Sequence, residues 1–393
     1  MSTDPLVILS ARRTPVGAFQ GVFAAVTGPQ LGSVAIKAAI ADAGVGVADI
    51  DEVIMGCVLS AGLGQAPARQ AALGAGLPAS TPATTVNKMC GSAMRAVMFA
   101  ADQILAGSAQ IVVAGGFESM TNAPYLLPKA RAGYRMGHQE VLDHMFYDGL
   151  QSPWDGQLMG CFADATAAKY QFTRTAQDDY ATESARRAQA AVANGSFAAE
   201  ITPVTVKTRK GESLIDKDET PSTLVVSKIG SLKPAFKKDG TVTAASSASI
   251  SDGAAALVLA HESWAAAKNL KPLARIAGYA SFAREPEWFT LAPVGAIQKL
   301  LTRLKWRATD VDLYEVNEAF AVVAMAAIKD LGLEHARVNV NGGACALGHP
   351  IGATGARILT TLIHALKGRG KQRGIASLCI GGGEATAKAI ELL

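Results

Sequence analysis

Two cysteines, one histidine and one asparagine each stand beside glycines or at a helix start, a set suited to acyl transfer through a thioester. Cys90 precedes Gly91 and Ser92 and opens a helix pattern over 93–105. N–H groups at a helix mouth lower a thiol's pKa and make it a better nucleophile. A small buried cysteine is the plainer reading of the same residue. His349 closes the glycine-rich stretch from Asn341 to Gly348, and Pro350 after it suits the first position of a helix over 351–366 with Gly368 as its stop. Fixed by glycines and a proline, it is a candidate base, although most histidines are structural. Asn317 follows a strand pattern over 313–316, where its amide can hold a water or an oxyanion, or simply cap. Cys379 precedes Ile380-Gly381-Gly382-Gly383, whose bare N–H groups can bind an oxyanion.

The elements that must position these residues alternate. The first third reads as strands over 6–9, 53–57, 84–86 and 111–114, the last ending at Gly115-Gly116. Helices are expected over 30–43, 65–73 and 93–105. The last third repeats this order. Asp49-Ile50-Asp51-Glu52-Val53 resembles Asp310-Val311-Asp312-Leu313-Tyr314, and a glycine-bearing loop, a helix and a glycine-ended strand follow each. A duplicated domain places its two helix mouths about a pseudo-twofold axis, so that Cys90 and His349 face one another. Chance similarity of two α/β halves is the alternative. Between the halves, from 119 to 249, the pattern breaks into an insertion. One long helix is expected there over 177–194, capped by Thr175, with lysine-bearing loops over 207–217 and 228–238.

Composition narrows the classes. A chain of 393 residues needs more than one packed unit, and 49% apolar with 18% charged residues suits a well-buried α/β protein. Net charge is only +4 and no long basic run occurs, so nucleic-acid binding has no support. No basic-then-apolar leader pattern follows Ser2, Thr3 and Asp4, and the longest uncharged apolar run, 319–328, is too short for a bilayer. Five cysteines form neither a metal spacing nor a disulfide framework, which points to a reducing, cytoplasmic compartment and no metal.

Taken together, the segments resemble the thiolases, the acyl-CoA:acetyl-CoA C-acyltransferases. The likeness runs from Arg13-Thr14-Pro15 through Val86-Asn87-Lys88-Met89-Cys90-Gly91-Ser92 to Ser251-Asp252-Gly253-Ala254-Ala255. It continues through Asn317-Glu318-Ala319-Phe320 and Gly348-His349-Pro350 to Cys379–Gly383. It implies a five-layered α-β-α-β-α fold from two duplicated halves, residues 1–118 with 250–271 and residues 272–393. Residues 119–249 would form a loop domain over the site. A homodimer or homotetramer is implied, with acyl-CoA thioesters as substrates and no further cofactor.

The resemblance also assigns roles. Cys90 takes the acyl group with His349 as its base, and Cys379 moves the α-proton of the second acetyl-CoA. Asn317, through a water, and His349 polarise one thioester oxygen. The N–H groups of Cys90 and Gly381 hold the other. Substrate and coenzyme A binding falls to Leu158, Met159, Ser247, Ala248, Phe289, Ala319 and Phe320. Several of these depart from the family pattern. Leu158 replaces a common histidine, Ala248 a serine with Ser247 and Ser249 as neighbours, Ser222 an arginine, and Phe289 a methionine that lines the acyl pocket. The expected activity is condensation of two acetyl-CoA to acetoacetyl-CoA and its reversal. A thiolase of longer or branched 3-ketoacyl-CoAs is the alternative. A binding protein without turnover is a third reading, which the paired thiols oppose.

Overall fold

Short apolar strands alternate with helices in both outer thirds of the chain, and nine of them, with the two-residue strand Gly17–Ala18, join in one ten-stranded sheet. In the first third lie β1 (Leu6–Arg13), α1 (Gly28–Ala43), β2 (Glu52–Gly56), α2 (Pro67–Gly74), β3 (Ala83–Val86), α3 (Ser92–Ala106) and β4 (Ile111–Ser119). The insertion contributes α4 (Met159–Tyr170) and α5 (Arg174–Ala193). Then follow β5 (Ser251–His261), β6 (Ala274–Ala283), α6 (Ala292–Leu304), β7 (Leu313–Val316), α7 (Ala321–Leu331), α8 (Thr354–Gly368), β8 (Arg373–Ile380) and β9 (Glu384–Leu392). This computed structural model describes residues 4–209 and 211–393. Ser2 and Thr3, and Lys210 within the lysine-bearing loop, lie outside the described residues.

The sheet is symmetric about its middle. β2 runs parallel to β4, β4 antiparallel to β5, and β5 antiparallel to β1. In the same pattern β7 runs parallel to β8, β8 antiparallel to β9, and β9 antiparallel to β6. The halves meet where Val7 and Ile8 of β1 pair with Arg275 and Ala274 of β6. Helices bury their apolar faces in five layers. α1 and α2 cover one half-sheet, α6 and α7 cover the other, and α3 and α8 pack together between them. The middle core therefore joins Val97 and Ile104 of α3 to Ile358 and Leu362 of α8. Both helix starts that carry the chemistry are brought to one place by this layer.

Local chemistry sets the ends. Thr27 accepts the Gln30 N–H while the Gln30 side chain accepts the Thr27 N–H, a reciprocal cap that starts α1. The cap of α5 is Thr173, which accepts the Ala176 N–H, rather than the expected Thr175. β4 does not stop at Gly115-Gly116 but runs through them. A side chain there has no room, because a Cβ on Gly115 would lie 2.0 Å from the Ala255 carbonyl oxygen and one on Gly116 2.1 Å from that of Gly352. The helix after His349 begins at Thr354, not at Pro350; 350–353 form turns, and Gly368 is its last residue rather than its stop.

The insertion is anchored to β1 through charge. Arg13, fully buried, bonds Glu200 at 2.6 Å and the two oxygens of Asp218 at 2.7 and 2.9 Å. Losing either carboxylate would leave a buried guanidinium short of a partner, an effect on the order of 3–5 kcal/mol. Among the described residues no helix is long and apolar enough to cross a membrane.

Candidate active site

Cys90 sits in a tight turn between β3 and α3. Met89 takes a left-handed φ of 47°, Ser92 Oγ donates to the Met89 carbonyl at 2.6 Å, and the Lys88 N–H donates to Ser92 Oγ at 2.8 Å. The helix starts two residues later, at Ser92, so Cys90 precedes the helix mouth instead of opening it. The expected low pKa is absent as well. Burial pushes the thiol up to about 11, the N–H groups of Gly381 and of Cys90 itself pull it down, and Glu118 adds to the rise. Desolvation outweighs those N–H groups because Cys90 packs against the apolar cluster that holds Val58, Met120 and Ile351. A base must therefore take its proton.

His349 can act as that base. Its backbone N–H donates to the Ser249 carbonyl at 3.1 Å, and its ring Nδ1 lies 2.6 Å from Thr354 Oγ1. Thr354 Oγ1 donates its own proton to the Pro350 carbonyl at 2.9 Å, so it accepts from Nδ1–H. That fixes the tautomer and leaves Nε2 with its lone pair free and no protein partner. Burial pushes the imidazole down to about 3, with Arg357 adding to the fall, so the ring is neutral in the ordinary pH range.

Asn317 and Cys379 complete the set. Asn317 follows β7, is 1% exposed, and has its backbone held by the Ser377 carbonyl at 2.9 Å, while neither amide atom has a protein partner. Cys379 is the penultimate residue of β8, fully buried; burial holds its thiol well above the usual range and the neighbouring Cys90 raises it further. Gly381 lies in the turn between β8 and β9, and its N–H points at the Cys90 thiol. Two thiols, a free imidazole nitrogen, an amide and an N–H donor thus belong to one region.

A cavity of about 330 Å³ opens onto it. Leu158, Met159, Ser247, Ala248, Phe320 and His349 all line it, together with Phe236, Met120, Leu150, Ile250 and Ile351. Cys90, Asn317 and Cys379 are not among the lining residues; Cys90 packs against the apolar cluster of which Met120 and Ile351 also line the cavity. Two expected lining residues stand behind the wall. Phe289, 3% exposed, meets Phe320 edge to face at 6.5 Å and Phe162 at 6.4 Å. Ala319 accepts the Ala248 N–H at 3.0 Å through its backbone. Ser222, exposed and bonded to the Glu219 carbonyl, is not part of the lining either.

The sequence reading passed over several polar residues. Glu118, on β4, accepts the N–H groups of Val58, Leu59 and Gly352 at 2.9, 3.1 and 2.9 Å. It clips the turn after His349 onto the half that carries Cys90. Burial pushes this carboxyl up to about 7 against those three N–H groups. Thr354 and Arg357 were hidden in an amphipathic helix pattern. A buried acid among glycines, as in Gly115-Gly116-Phe117-Glu118, was the signal available for Glu118.

Comparison with known proteins agrees with this geometry. Residues 6–263 match the family model of the thiolase N-terminal domain, and residues 270–392 that of the thiolase C-terminal domain. The chain belongs to the thiolase family. The acetyl-CoA acetyltransferase of Escherichia coli (strain K12) is 51% identical over 389 residues, 98% of this thiolase and 99% of the relative. That of Schizosaccharomyces pombe is 47% identical over the whole of both chains. Among solved structures, the Bacillus anthracis acetyl-CoA acetyltransferase superposes with a TM-score of 0.97 at 42% identity, covering 99% of each chain. A thiolase from Ascaris suum in complex with coenzyme A gives 0.94 at 42% identity, covering 99% of this thiolase and all of that chain. The five-layered fold from two duplicated halves is thus the thiolase fold.

Proposed function

We propose that this thiolase is an acetyl-CoA C-acetyltransferase, which condenses two acetyl-CoA into acetoacetyl-CoA and free coenzyme A, and runs the reverse cleavage. The observation that carries this reading is the pairing of two neighbouring thiols, half-buried Cys90 and buried Cys379, with a tautomer-locked, neutral His349 that lines the cavity. His349 Nε2 takes the Cys90 proton, and the thiolate attacks the acetyl carbonyl. The C–S bond to coenzyme A breaks, and its thiolate leaves with the proton from His349. His349, neutral again, takes the Cys379 proton; the Cys379 thiolate removes an α-proton from the second acetyl-CoA, and the carbanion attacks the acetyl group on Cys90. Cys90 leaves as the thiolate and takes the proton held by His349, which returns all three groups to their starting states.

Charge develops on oxygen at both stages. The N–H groups of Cys90 and Gly381 face the first oxyanion, and Asn317 with His349 serves the second. Each is worth roughly 3 kcal/mol. The first acetyl-CoA brings its own leaving group and the second keeps its coenzyme A, so the scheme needs no metal or resident cofactor. Relatives across bacteria, fungi and plants carry the name acetyl-CoA acetyltransferase, which favours short acyl chains over the broader 3-ketoacyl-CoA reading. In this reading the protein is cytoplasmic, its five cysteines unpaired, and assembles as a homodimer or homotetramer. Support for assembly comes from β3 at the end of the sheet, with an open edge, and from exposed Tyr125, Leu127 and Met136. The domain limits proposed above, 1–118 with 250–271, 119–249 and 272–393, follow the same reading.

The test is thiolysis of 3-ketoacyl-CoAs of increasing length. Acetoacetyl-CoA should be cleaved best, with steep loss beyond about six carbons, because overpacking a filled pocket costs roughly 1–3 kcal/mol. A profile flat or rising to long chains would make this a broad-range thiolase.

A further inference from the structure

We propose that Glu318 is a positioning residue, whose buried carboxylate fastens helix α5 of the insertion and the loop before His349 to Asn317; this deepens the proposed reaction and rests on it. Glu318 is wholly buried. Its Oε1 accepts from Tyr180 Oη at 2.9 Å and Asn339 Nδ2 at 2.8 Å. Its Oε2 accepts from Ser184 Oγ at 2.7 Å and the Cys345 N–H at 3.1 Å. Four donors from three separate segments thus converge on one carboxylate, and among the described residues no cation hydrogen-bonds it. The backbone makes room for it. A Cβ on Gly343 would lie 2.2 Å from the Glu318 carboxyl carbon, so only glycine admits the acid.

The arrangement matters because Asn317 has no anchor of its own. Among the described residues neither amide atom of Asn317 has a hydrogen-bond partner, so the backbone sets where that amide points. One side of its segment is tied to the cavity wall, where the Ala248 N–H donates to the Ala319 carbonyl at 3.0 Å and the Ala321 N–H to the Ser246 carbonyl at 2.8 Å. The other side is tied by Glu318. Ser184 extends the tie by accepting the Gly343 N–H at 3.0 Å. Asn339 also grips β7 directly, donating to the Val316 carbonyl at 2.8 Å and accepting the Val316 N–H at 2.9 Å. Cys90 and His349 are held by other contacts, the 88–92 turn for one and Thr354 with Ser249 for the other. A loosened Glu318 should therefore disturb Asn317 while leaving the Cys90–His349 pair in place.

The two half-reactions separate these roles. Acylation of Cys90 by acetyl-CoA uses His349 and the Gly381 N–H, whereas enolate formation on the second acetyl-CoA uses Asn317. Glu318→Gln keeps the shape but sets an NH₂ against two donors. It should lower condensation kcat, and deuterium exchange at the acetyl-CoA methyl, roughly 10–100-fold, the scale of a small misplacement of a reacting group. Acetyl-Cys90 formation, followed by single-turnover mass spectrometry, and KM should stay near wild type. Tyr180→Phe and Ser184→Ala each remove one donor and should shift the same step in the same direction by less. They carry the test if Glu318→Gln does not fold. Equal loss of both half-reactions in all three variants would reduce Glu318 to a general stabiliser and overturn the proposal, as would unchanged exchange. Wild-type protein that never acetylates Cys90 would overturn the parent reaction itself.

Discussion

His349 Nδ1 lies 2.6 Å from Thr354 Oγ1, and this contact decides which ring nitrogen is free for chemistry. Thr354 spends its own proton on the Pro350 carbonyl, one turn back, so the imidazole must donate from Nδ1. The turn that delays the helix to Thr354 is what puts a hydroxyl there. Removing it should free the ring and lose the tautomer.

Thr354→Val should therefore lower the rate of Cys90 acylation by roughly tenfold to a hundredfold, the scale of losing a partner that orients a functional histidine. Thr354→Ser should restore most of it, since only the hydroxyl is needed. Rapid-quench measurement of acetyl-enzyme formation checks this; equal rates in the valine variant would show that the ring is held by packing alone.

The two perturbed groups set the pH behaviour. His349, pushed down to about 3, stays neutral through the neutral range, so acylation should show no inflection near the ordinary histidine value of 6.5. The same shift has a stability consequence. Between about 6.5 and 3 the unfolded chain binds the proton that folded His349 refuses, so this residue's contribution falls as the pH falls through that window. Cys90, pushed up to about 11, should react with iodoacetamide faster as the pH rises toward that value, and prior acetyl-CoA should protect it. Peptide mapping gives the answer. Label found only on Cys57, Cys161 or Cys345 would contradict the assignment of the nucleophile.

Cys379→Ala separates the thiols by role. Acylation needs Cys90 and His349, while Cys379 handles only the second substrate's proton. The variant should accumulate acetyl on Cys90 and lose condensation by about two to four decades, the range of general acid–base catalysis. An unacylated variant, or one with near-normal condensation, would merge the roles that the mechanism keeps apart.

Chain length should respond to Phe320 before Phe289. Phe320 lines the cavity, whereas Phe289 supports it from the core. Phe320→Ala should enlarge the pocket and flatten the loss on longer 3-ketoacyl-CoAs. Phe289→Ala removes a buried ring and should cost roughly 3–5 kcal/mol of stability. Thiolysis profiles and unfolding midpoints for the two variants distinguish them. A relaxed profile in Phe289→Ala alone would return that residue to the pocket wall.

Much was legible in the sequence because it is local. Strand and helix periods, the glycine-bounded loops, the repeated order of elements and the identities of Cys90, Asn317, His349 and Cys379 all lie within short windows. The repeated order pointed to two similar halves, whereas their meeting through β1 and β6 was decided by the tertiary structure. What only the tertiary structure decided is how groups distant in the chain change one another. The Cys90 thiol is raised rather than lowered because desolvation by residues from 58, 120 and 351 exceeds the pull of nearby N–H groups. Phe289 moved behind Phe320 because a core contact some thirty residues away in sequence fixes its ring. Glu118 and Glu318 read as ordinary acids in a strand and a loop. Their donors come from Gly352, and from Tyr180, Ser184, Asn339 and Cys345, none of which lies within twenty residues of the acid it binds. Sequence periodicity reports which face a side chain takes; burial and hydrogen-bond partners depend on what the other segments bring to that face.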